Sequence, residues 1–303
     1  MLRTASEIKP ENLFPLRPPL PLPQGVTEEE LFQWLLSIRV SGSSKAEMES
    51  YCRTDFRRFV YTWGLMDRIK KGGNVLELGA NPYFTTFLIK QFSRVELTLA
   101  NYFGPQHPTG AQNQTVAATD FVSRQPTEVG CKYFHFNIEQ DRFPFDDKTF
   151  ECVLFCEIIE HLLNDPCKVL REIKRILKPK GFLILTTPNV ARLENVARLI
   201  AGANIYDPYS GYGPYGRHNR EYNRHEIVEI LKYEGFEPEV HFTADVHANN
   251  SAGYSDLNQF SDLVKFREND LGQYLFVRAK NTGALATKRP SWLYRSMPAG
   301  QLD

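Results

Sequence analysis

The sequence predicts an α/β protein: a seven-stranded, mostly parallel, doubly wound sheet preceded by a helical cap. Strand-like and helix-like segments alternate from Asn74 onward, as they do in consecutive βαβ units. A buried strand-like run ends in a glycine turn at Gly79, and a strongly amphipathic helix is marked at 165–178. The predicted strands cover 74–79, 94–101, 131–136, 151–157, 181–187, 237–243 and 272–279.

Composition shifts divide the chain into three regions. Residues 1–71 are predicted to form a proline-rich arm and a helical cap, because six of the 19 prolines fall within residues 1–25 and helical patterns follow them. The arm is expected to lie on its own domain, with an SH3-type ligand as the alternative. Residues 72–280 form the main domain with an insertion at 203–222, and residues 281–303 form a tail. Helical patterns in the main domain cover 84–92, 165–178 and 224–234.

Charge and cysteine usage narrow the class of protein. Lys+Arg and Asp+Glu are equal at 36 each in the 303 residues, which argues against a dedicated nucleic-acid or membrane-surface binder. The five cysteines form no CxxC pair, which favours reduced thiols. We find neither a secretory signal nor an apolar run long enough to cross a bilayer. These features predict a cytoplasmic protein that acts on a small molecule, and they leave self-association into a homo-oligomer open.

The glycine turn is the first candidate binding feature. Gly79 follows a buried strand, and a glycine there lets the backbone approach a ligand without a Cβ clash. A dinucleotide fingerprint would need two further glycines, at the positions that Asn81 and Phe84 occupy. The turn therefore indicates a ligand site, and NAD is poorly supported as its ligand.

Five motifs in order carry a resemblance to a known family. They are Glu77-x-Gly79-x-Asn81, the strand ending in Asn101, Asn137-Ile138, the helix that runs to Gly181, and Leu185-Thr-Thr-Pro-Asn189. Over residues 72–240 the chain resembles the class I S-adenosylmethionine-dependent methyltransferases, in particular the type 11 and type 23-like small-molecule enzymes. The resemblance implies a Rossmann-like methyltransferase fold and S-adenosyl-L-methionine as the cofactor.

The resemblance also assigns cofactor contacts. It implies that the acidic residue and glycine of the first motif shape the site for the methionine part, that Asn101 meets the ribose, and that Asn137 and Ile138 meet the adenine. Two positions depart from the family pattern, because Asn81 replaces a glycine and Asn101 replaces an acid, so its ribose contact would be a neutral one. The implied contacts are Glu77, Gly79, Ala80, Asn81, Asn101, Asn137, Ile138, Cys156 and Glu157.

The segment after the fourth predicted strand is the most informative part of the chain. It reads Glu157-Ile-Ile-Glu160-His161. If a helix begins at Glu157, then positions i, i+3 and i+4 lie on one of its faces. Two carboxylates and an imidazole would then converge at the carboxyl end of a strand, where open α/β sheets bind ligands.

Two interpretations of this segment remain open. It resembles the metal-binding segment of the small-RNA 3′-terminal 2′-O-methyltransferases and of the O-methyltransferases of ubiquinone biosynthesis, which implies a site for Mg²⁺ or another divalent cation at Glu157, Glu160, His161 and His218. In the alternative, no metal binds and Glu160-His161 orients the loop. The catalytic base of the metal-free version is His161 or His218.

The insertion is the candidate acceptor site. It carries four tyrosines between Tyr206 and Tyr215, followed by Arg217 and Arg220. Aromatic faces beside charged hydrogen-bonding groups suit a saccharide-like acceptor, and a solvent-exposed loop of tyrosines without such a role is the alternative. The predicted substrate contacts are Tyr212, Tyr215, Arg217 and Arg220.

Three functions compete at this point. The first is O-methylation of a hydroxyl on a sugar or other small polyhydroxylated metabolite, with or without a divalent cation. The second is ribose 2′-O-methylation of RNA, which the balanced charge disfavours. The third is a non-catalytic partner protein with a methyltransferase fold, for which Asn81 and Asn101 are the main support.

Overall fold

A computed structural model of the chain describes residues 18–303, with the side chains of residues 259, 261, 263 and 268 outside the description. Nine strands in this range form one sheet in the order β1-β4-β5-β3-β2-β6-β7-β9-β8. The strands are β1 (Arg39–Val40), β2 (Asn74–Leu78), β3 (Glu96–Asn101), β4 (Gly110–Thr119), β5 (Pro126–His135), β6 (Phe150–Cys156), β7 (Leu177–Pro188), β8 (Phe236–Ala244) and β9 (Tyr274–Asn281).

Seven α-helices accompany the sheet in the described part of the chain. Those predicted at 84–92, 165–178 and 224–234 are present, and a capping box of Asn223 and Glu226 begins the last of them. The helices are α1 (Glu28–Leu35), α2 (Lys45–Gly64), α3 (Phe84–Phe92), α4 (Pro166–Ile176), α5 (Leu193–Ile200), α6 (Arg224–Tyr233) and α7 (Ser261–Val264).

The topology confirms the predicted doubly wound α/β fold. Strands β5, β3, β2, β6 and β7 lie side by side and parallel, so their carboxyl ends share one edge of the sheet. Ligands bind at this edge in open α/β sheets, next to the point where the strand order reverses. Here that point is the neighbouring pair β2 and β6, which the Gly79 turn and the Glu157–His161 segment follow directly.

The sheet differs from the prediction in strand number and in direction. The seven predicted strands are present, and β1 and β4 extend the sheet to nine. Strand β4 pairs antiparallel with β5 along its full length, so four of the eight pairings are antiparallel and the sheet is mixed. The sequence pattern did not reveal β4, because Gln112, Asn113 and Gln114 are polar. It did not reveal β1, because that strand has only two residues.

The predicted cap packs into the same core as the sheet. Leu31 and Leu35 of α1 are fully buried in a cluster that also contains Phe84 and Val116, from α3 and β4. The Trp34 indole donates a hydrogen bond to the Thr119 carbonyl oxygen over 2.8 Å. The helices therefore cover one end of the sheet and bring α2 close to the carboxyl ends of the strands.

Both ends of the described chain lie against helices. The part of the proline-rich arm in residues 1–17 lies outside the described residues. Pro18, which follows it, accepts a hydrogen bond of 2.5 Å from the Tyr61 hydroxyl of α2. In the tail, the Tyr294 hydroxyl donates to the Asp165 carboxylate at the start of α4 over 2.6 Å. Among residues 18–303, no helix combines the length and the apolar character that crossing a bilayer requires.

Candidate active site

The turn after β2 is built around a glycine that nothing larger could replace without strain. Gly79 has a φ of +67°, and its amide donates to the Ala100 carbonyl oxygen over 2.9 Å. A Cβ at this position would lie 2.9 Å from Cδ1 of Ile158. The absence of a Cβ thus lets the Ile158 side chain pack directly against the end of β2.

A cavity of about 170 Å³ opens beside this turn, at the carboxyl ends of β2, β3, β5 and β6. Its walls contain seven of the residues that the sequence singled out, from four separate strand ends and the insertion. They are Gly79, Asn101, Asn137, Ile138, Glu157, His161 and Tyr215. The remaining wall is mostly apolar, with Leu78, Phe136, Ile158 and Leu162 among its members.

Four predicted cofactor residues are not part of this wall. Glu77 is buried in β2 and accepts a hydrogen bond of 2.6 Å from Oγ1 of Thr86, and burial raises the pKa of its carboxyl to about 8. Asn81 donates its amide to Oδ1 of Asn101 over 2.8 Å. The cavity lining does not include Glu77, Ala80, Asn81 or Cys156. The Asn81–Asn101 bond joins the turn after β2 to the end of β3.

The side-chain amide of Asn101 is fixed by its neighbours. Its Oδ1 accepts from the Asn81 backbone, and its Nδ2 lies 3.1 Å from the hydroxyl of Tyr83. Tyr83 is fully buried and its hydroxyl also donates to Gln114 of β4 over 2.9 Å. A strand that the sequence pattern did not show therefore helps to orient a cavity-lining residue.

The insertion closes one end of the cavity. Oδ1 of Asn137 accepts the amide of Glu139 over 2.9 Å, which leaves Nδ2 to donate to the Tyr215 hydroxyl over 3.3 Å. The Tyr215 ring stands edge-on to Tyr102 at 5.9 Å, and Tyr102 stacks on His135. Tyr215 therefore lies at the cavity that holds the predicted cofactor contacts.

The expected helix after β6 is absent, and the prediction that Glu157 begins one is wrong. Glu157 has a φ of +54°, and only Ile159–His161 form a single 3₁₀ turn. The Glu157 amide donates to the Thr186 carbonyl oxygen over 2.8 Å, and its carboxylate accepts from the Thr186 hydroxyl over 2.7 Å. These bonds to β7 hold Glu157 at the strand end, so no helical face is shared with Glu160.

Glu160, His161 and His218 form a compact cluster of potential ligand atoms. One atom from each of the three lies within 4.8 Å of the others, and Glu157 is outside this group. Glu160 is fully buried, and its Oε2 accepts from the Thr187 hydroxyl over 2.8 Å. Its Oε1 has no hydrogen-bond partner among the described residues and lies 3.9 Å from Nε2 of His161. We call these three residues the acid–histidine cluster.

Burial sets the protonation of the cluster. It raises the pKa of Glu160 and of the neighbouring Glu157, because each carboxylate loses its water, and at Glu157 the Glu160 charge adds to the effect. Burial also lowers the pKa of His161, which favours the neutral imidazole. At His218 burial opposes the charged form, but the hydrogen bond from Nδ1 to Glu221 over 2.8 Å and the Glu160 charge outweigh it and raise the pKa of His218.

Hydrogen bonds join the insertion to the cluster. The amide of Asn219 donates to the Glu160 carbonyl oxygen over 2.7 Å, and its Nδ2 donates to the His161 carbonyl oxygen over 2.9 Å. Nδ1 of His161 lies 2.9 Å from the Arg217 carbonyl oxygen, which can only accept, so Nδ1 carries the proton in the neutral ring. Nε2 of His161 then carries the lone pair, and it lies 3.9 Å from Oε1 of Glu160.

The structure adds a polar network on α2 that the sequence analysis missed. Arg58 is buried, donates to Asp55 over 2.9 Å and to the Tyr51 hydroxyl over 2.6 Å, and stacks over Tyr274 at 5.7 Å. Its charge also lowers the pKa of Glu157 against the effect of burial. The spacing of residues 51, 55 and 58 places them on one helix face, and this polar stripe within an apolar pattern was the available signal.

The other predicted substrate residues lie toward the surface. Tyr212 is 87% exposed, and Arg217 stacks on Tyr209 at 5.1 Å. Arg220 is exposed and pairs with Glu226 over 2.6 Å. The insertion therefore brings Tyr215 and His218 into the site, while its tip faces solvent.

Comparison with known proteins defines the class. The family model described as a methyltransferase domain matches residues 45–240, which is more than half of the chain. The chain belongs to this family, and its recognition as a class I S-adenosylmethionine-dependent methyltransferase is confirmed. The match begins at the start of α2 and ends in β8, so it contains the cavity, the acid–histidine cluster and the α2 residues Tyr51, Asp55 and Arg58.

A curated relative and several solved structures are similar to this chain. A protein of Mycolicibacterium smegmatis, named as a probable S-adenosylmethionine-dependent methyltransferase, is 30% identical over 127 residues. The match covers 41% of this chain, which spans less than half (44%) of the relative's length. A chain from the complex of the Haloferax volcanii Trm112 methyltransferase activator with a methyltransferase is 15% identical, with a TM-score of 0.46 and coverage of 85% of this chain and 100% of that one. A Thermotoga maritima S-adenosylmethionine-dependent methyltransferase is 13% identical, with a TM-score of 0.46 and coverage of 84% and 100%.

Proposed function

We propose that this chain transfers a methyl group from S-adenosylmethionine to a hydroxyl of a sugar or another small polyhydroxylated molecule. One observation carries the proposal. His161 lines the cavity of the predicted cofactor contacts and also belongs to the acid–histidine cluster. A single residue thus joins the donor cavity to groups that can bind or deprotonate a hydroxyl.

Methyl transfer to oxygen needs a base as well as alignment. The acceptor oxygen attacks the methyl carbon in line with the C–S bond, so an O–C bond forms as the C–S bond breaks. The C–S electron pair remains on sulfur and gives S-adenosylhomocysteine. The hydroxyl proton passes to Nε2 of His161, whose lone pair is free because Nδ1 faces the Arg217 carbonyl oxygen. The Glu160 carboxylate beside Nε2 stabilises the resulting imidazolium.

The cluster also fits a divalent cation. Glu160 offers an oxygen without a hydrogen-bond partner in the described chain, and His161 and His218 each offer a ring nitrogen within 4.8 Å of it. Glu221 at Nδ1 of His218 is the outer partner that a metal-bound histidine needs, because it fixes the ring and leaves Nε2 as the ligand atom. Mg²⁺ or Mn²⁺ held by Glu160, His161 and His218 would lower the pKa of an acceptor hydroxyl. In that version His161 is a ligand and does not act as the base.

Binding and transfer assays test the proposal in sequence. Calorimetry should detect S-adenosylhomocysteine binding to the wild type and also to His161→Ala, because the other cofactor contacts remain. Transfer of the labelled methyl group to a panel of sugars and polyols should be lost in His161→Ala and kept in His225→Ala, which removes an exposed histidine of α6. A folded protein that binds no S-adenosylhomocysteine, or His161→Ala with wild-type transfer, would overturn the proposal.

A further inference from the structure

A second cavity, of about 530 Å³, lies on the side of His218 that is lined by the insertion. Val190, two residues beyond the end of β7, forms one wall, so this cavity opens at the same edge of the sheet as the first. The other walls come from the insertion and the start of α6. They are Ile205, Tyr206, Asp207, His218, Asn219, Arg220, Glu221 and Glu226.

The acid–histidine cluster lies between the two cavities. His161 lines the first cavity and His218 lines the second, and their ring centres are 5.1 Å apart in an edge-to-face arrangement. The two cavities share no lining residue within the described part of the chain. A molecule in the second cavity would therefore reach the cluster at His218, through residues other than the cofactor contacts.

The charges of the second cavity restrict what it can hold. Glu221 pairs with Arg192 and His218, and Glu226 pairs with Arg220 over 2.6 Å. Asp207 accepts the backbone amide of His218 over 2.9 Å, and no lysine or arginine of the described chain forms an ion pair with it. Asp207 is thus an exposed carboxylate available to a ligand, whereas Arg220 in the same wall is already engaged by Glu226.

The remaining groups suit an uncharged ring. Val190 and Ile205 supply apolar surface, and the Tyr206 ring is 83% exposed at the rim of the cavity. Aromatic and aliphatic faces beside carboxylates bind the C–H face and the hydroxyls of a sugar. A phosphate in the same place would meet the Asp207 carboxylate, which no lysine or arginine of the described chain neutralises, and like charges held in contact repel one another strongly.

We infer that the second cavity is the acceptor site and that it selects a polyhydroxylated molecule that is neutral or carries an amine, excluding phosphorylated sugars and nucleotides. The amine of an amino sugar would pair with Asp207, and a ring hydroxyl would face His218. This inference rests on the proposed function, because it names the acceptor class of the same site.

Methyl-detected NMR tests the inference before the natural acceptor is identified. Protein saturated with S-adenosylhomocysteine and labelled at valine and isoleucine methyl groups is titrated with D-glucosamine, D-glucose and D-glucose 6-phosphate. Val190 and Ile205 report on the second cavity, and Ile138 and Ile158 report on the first. We expect glucosamine to shift the Val190 and Ile205 signals. Glucose 6-phosphate should bind at least about tenfold more weakly than glucosamine.

Variants separate the specific role of Asp207 from a general charge effect. Asp207→Asn should weaken glucosamine binding to the level of glucose, whereas Asp256→Asn, which removes an exposed carboxylate that lines neither cavity, should leave it unchanged. Shifts confined to Ile138 and Ile158, no shift with any of the three sugars, or equal binding of glucose 6-phosphate would overturn the inference. Loss of S-adenosylhomocysteine binding would instead overturn the proposed function itself, and the acceptor role with it.

Discussion

Oε1 of Glu160 lies 3.9 Å from Nε2 of His161, and this carboxylate oxygen has no hydrogen-bond partner among residues 18–303. A buried carboxylate oxygen without a partner is costly, and a bound cation or a shared proton would relieve that cost. The two atoms face each other where the first cavity meets the cluster. We therefore expect a bound cation or a bound acceptor to contact these two atoms.

A divalent cation should stabilise the protein through this cluster. At a saturating concentration, Mn²⁺ should raise the melting temperature of the wild type by roughly 3 °C or more, because a ligand that binds only the folded state adds its binding free energy to stability. His218→Ala should abolish the response in thermal-shift assays. His225→Ala is the matched control and should respond like the wild type. If neither Mn²⁺ nor Mg²⁺ changes the melting temperature of the wild type, the proposed cation site is wrong and His161 is left as the base.

The buried carboxyl of Glu77 should make stability depend on pH. Its pKa is raised from 4.5 to about 8 by burial, so the folded state holds the proton more tightly than the unfolded state does. The contribution to stability is complete below pH 4.5 and is lost as the pH rises through 8. Relative to Glu77→Gln, which keeps an acceptor for Thr86, the wild type should lose on the order of 4 kcal/mol between about pH 5 and pH 9.

Urea unfolding at several pH values measures this difference. The variant removes only the titrating group at position 77, so the contributions of Glu157 and Glu160 cancel when the two curves are compared. Parallel stability curves for the wild type and Glu77→Gln would show that the Glu77 carboxyl does not titrate in this range.

Substitution of Gly79 should affect the cofactor more than the fold. Gly79→Ala places a Cβ 2.9 Å from Ile158, in a residue with a φ of +67°. Gly72→Ala is a matched control, since Gly72 has a φ of +76° and a Cβ added there would meet nothing within 4 Å. Both variants should lose about 1 kcal/mol of stability from backbone strain. Calorimetry should show about tenfold weaker S-adenosylhomocysteine binding for Gly79→Ala alone, and equal affinities would argue against the cavity as the cofactor site.

The ion pair between Arg58 and Asp55 should be important for stability. Both side chains are buried, so Arg58→Ala leaves the Asp55 carboxylate without its partner and should cost about 3–5 kcal/mol in urea unfolding. The exposed pair of Lys232 and Glu229 provides a control, and Lys232→Ala should cost less than about 1 kcal/mol. Similar losses in the two variants would show that burial does not distinguish these pairs.

The sequence predicted the strands that position the site because they are short, apolar and bounded by turn residues. Strand β2 and the turn at Gly79 could be placed from pattern alone, and so could helix α4. Strand β4 could not, since its polar residues alternate only weakly in hydrophobicity and its position depends on the hairpin with β5. Such an edge extension is specified by pairing rather than by local composition.

The sequence also predicted part of the candidate site, and the rest depends on tertiary contacts. Glu160, His161 and His218 were identified from residue type and order, which decide which groups are present. The backbone conformation of Glu157 was not predicted, because its left-handed φ depends on two hydrogen bonds to Thr186 of another strand. The contribution of Asn219 also depends on tertiary contacts, since its side chain bonds to a residue 58 positions away.

The most direct measurement of the central claim is a crystal structure of the protein with S-adenosylhomocysteine. We expect the adenine beside Asn137 and Ile138, the ribose at Asn101, and the sulfur directed past Gly79 toward His161. We further expect the Tyr215 side chain to cover the adenine end. A ligand bound outside this cavity, or one whose sulfur points away from the acid–histidine cluster, would contradict the proposed cofactor site.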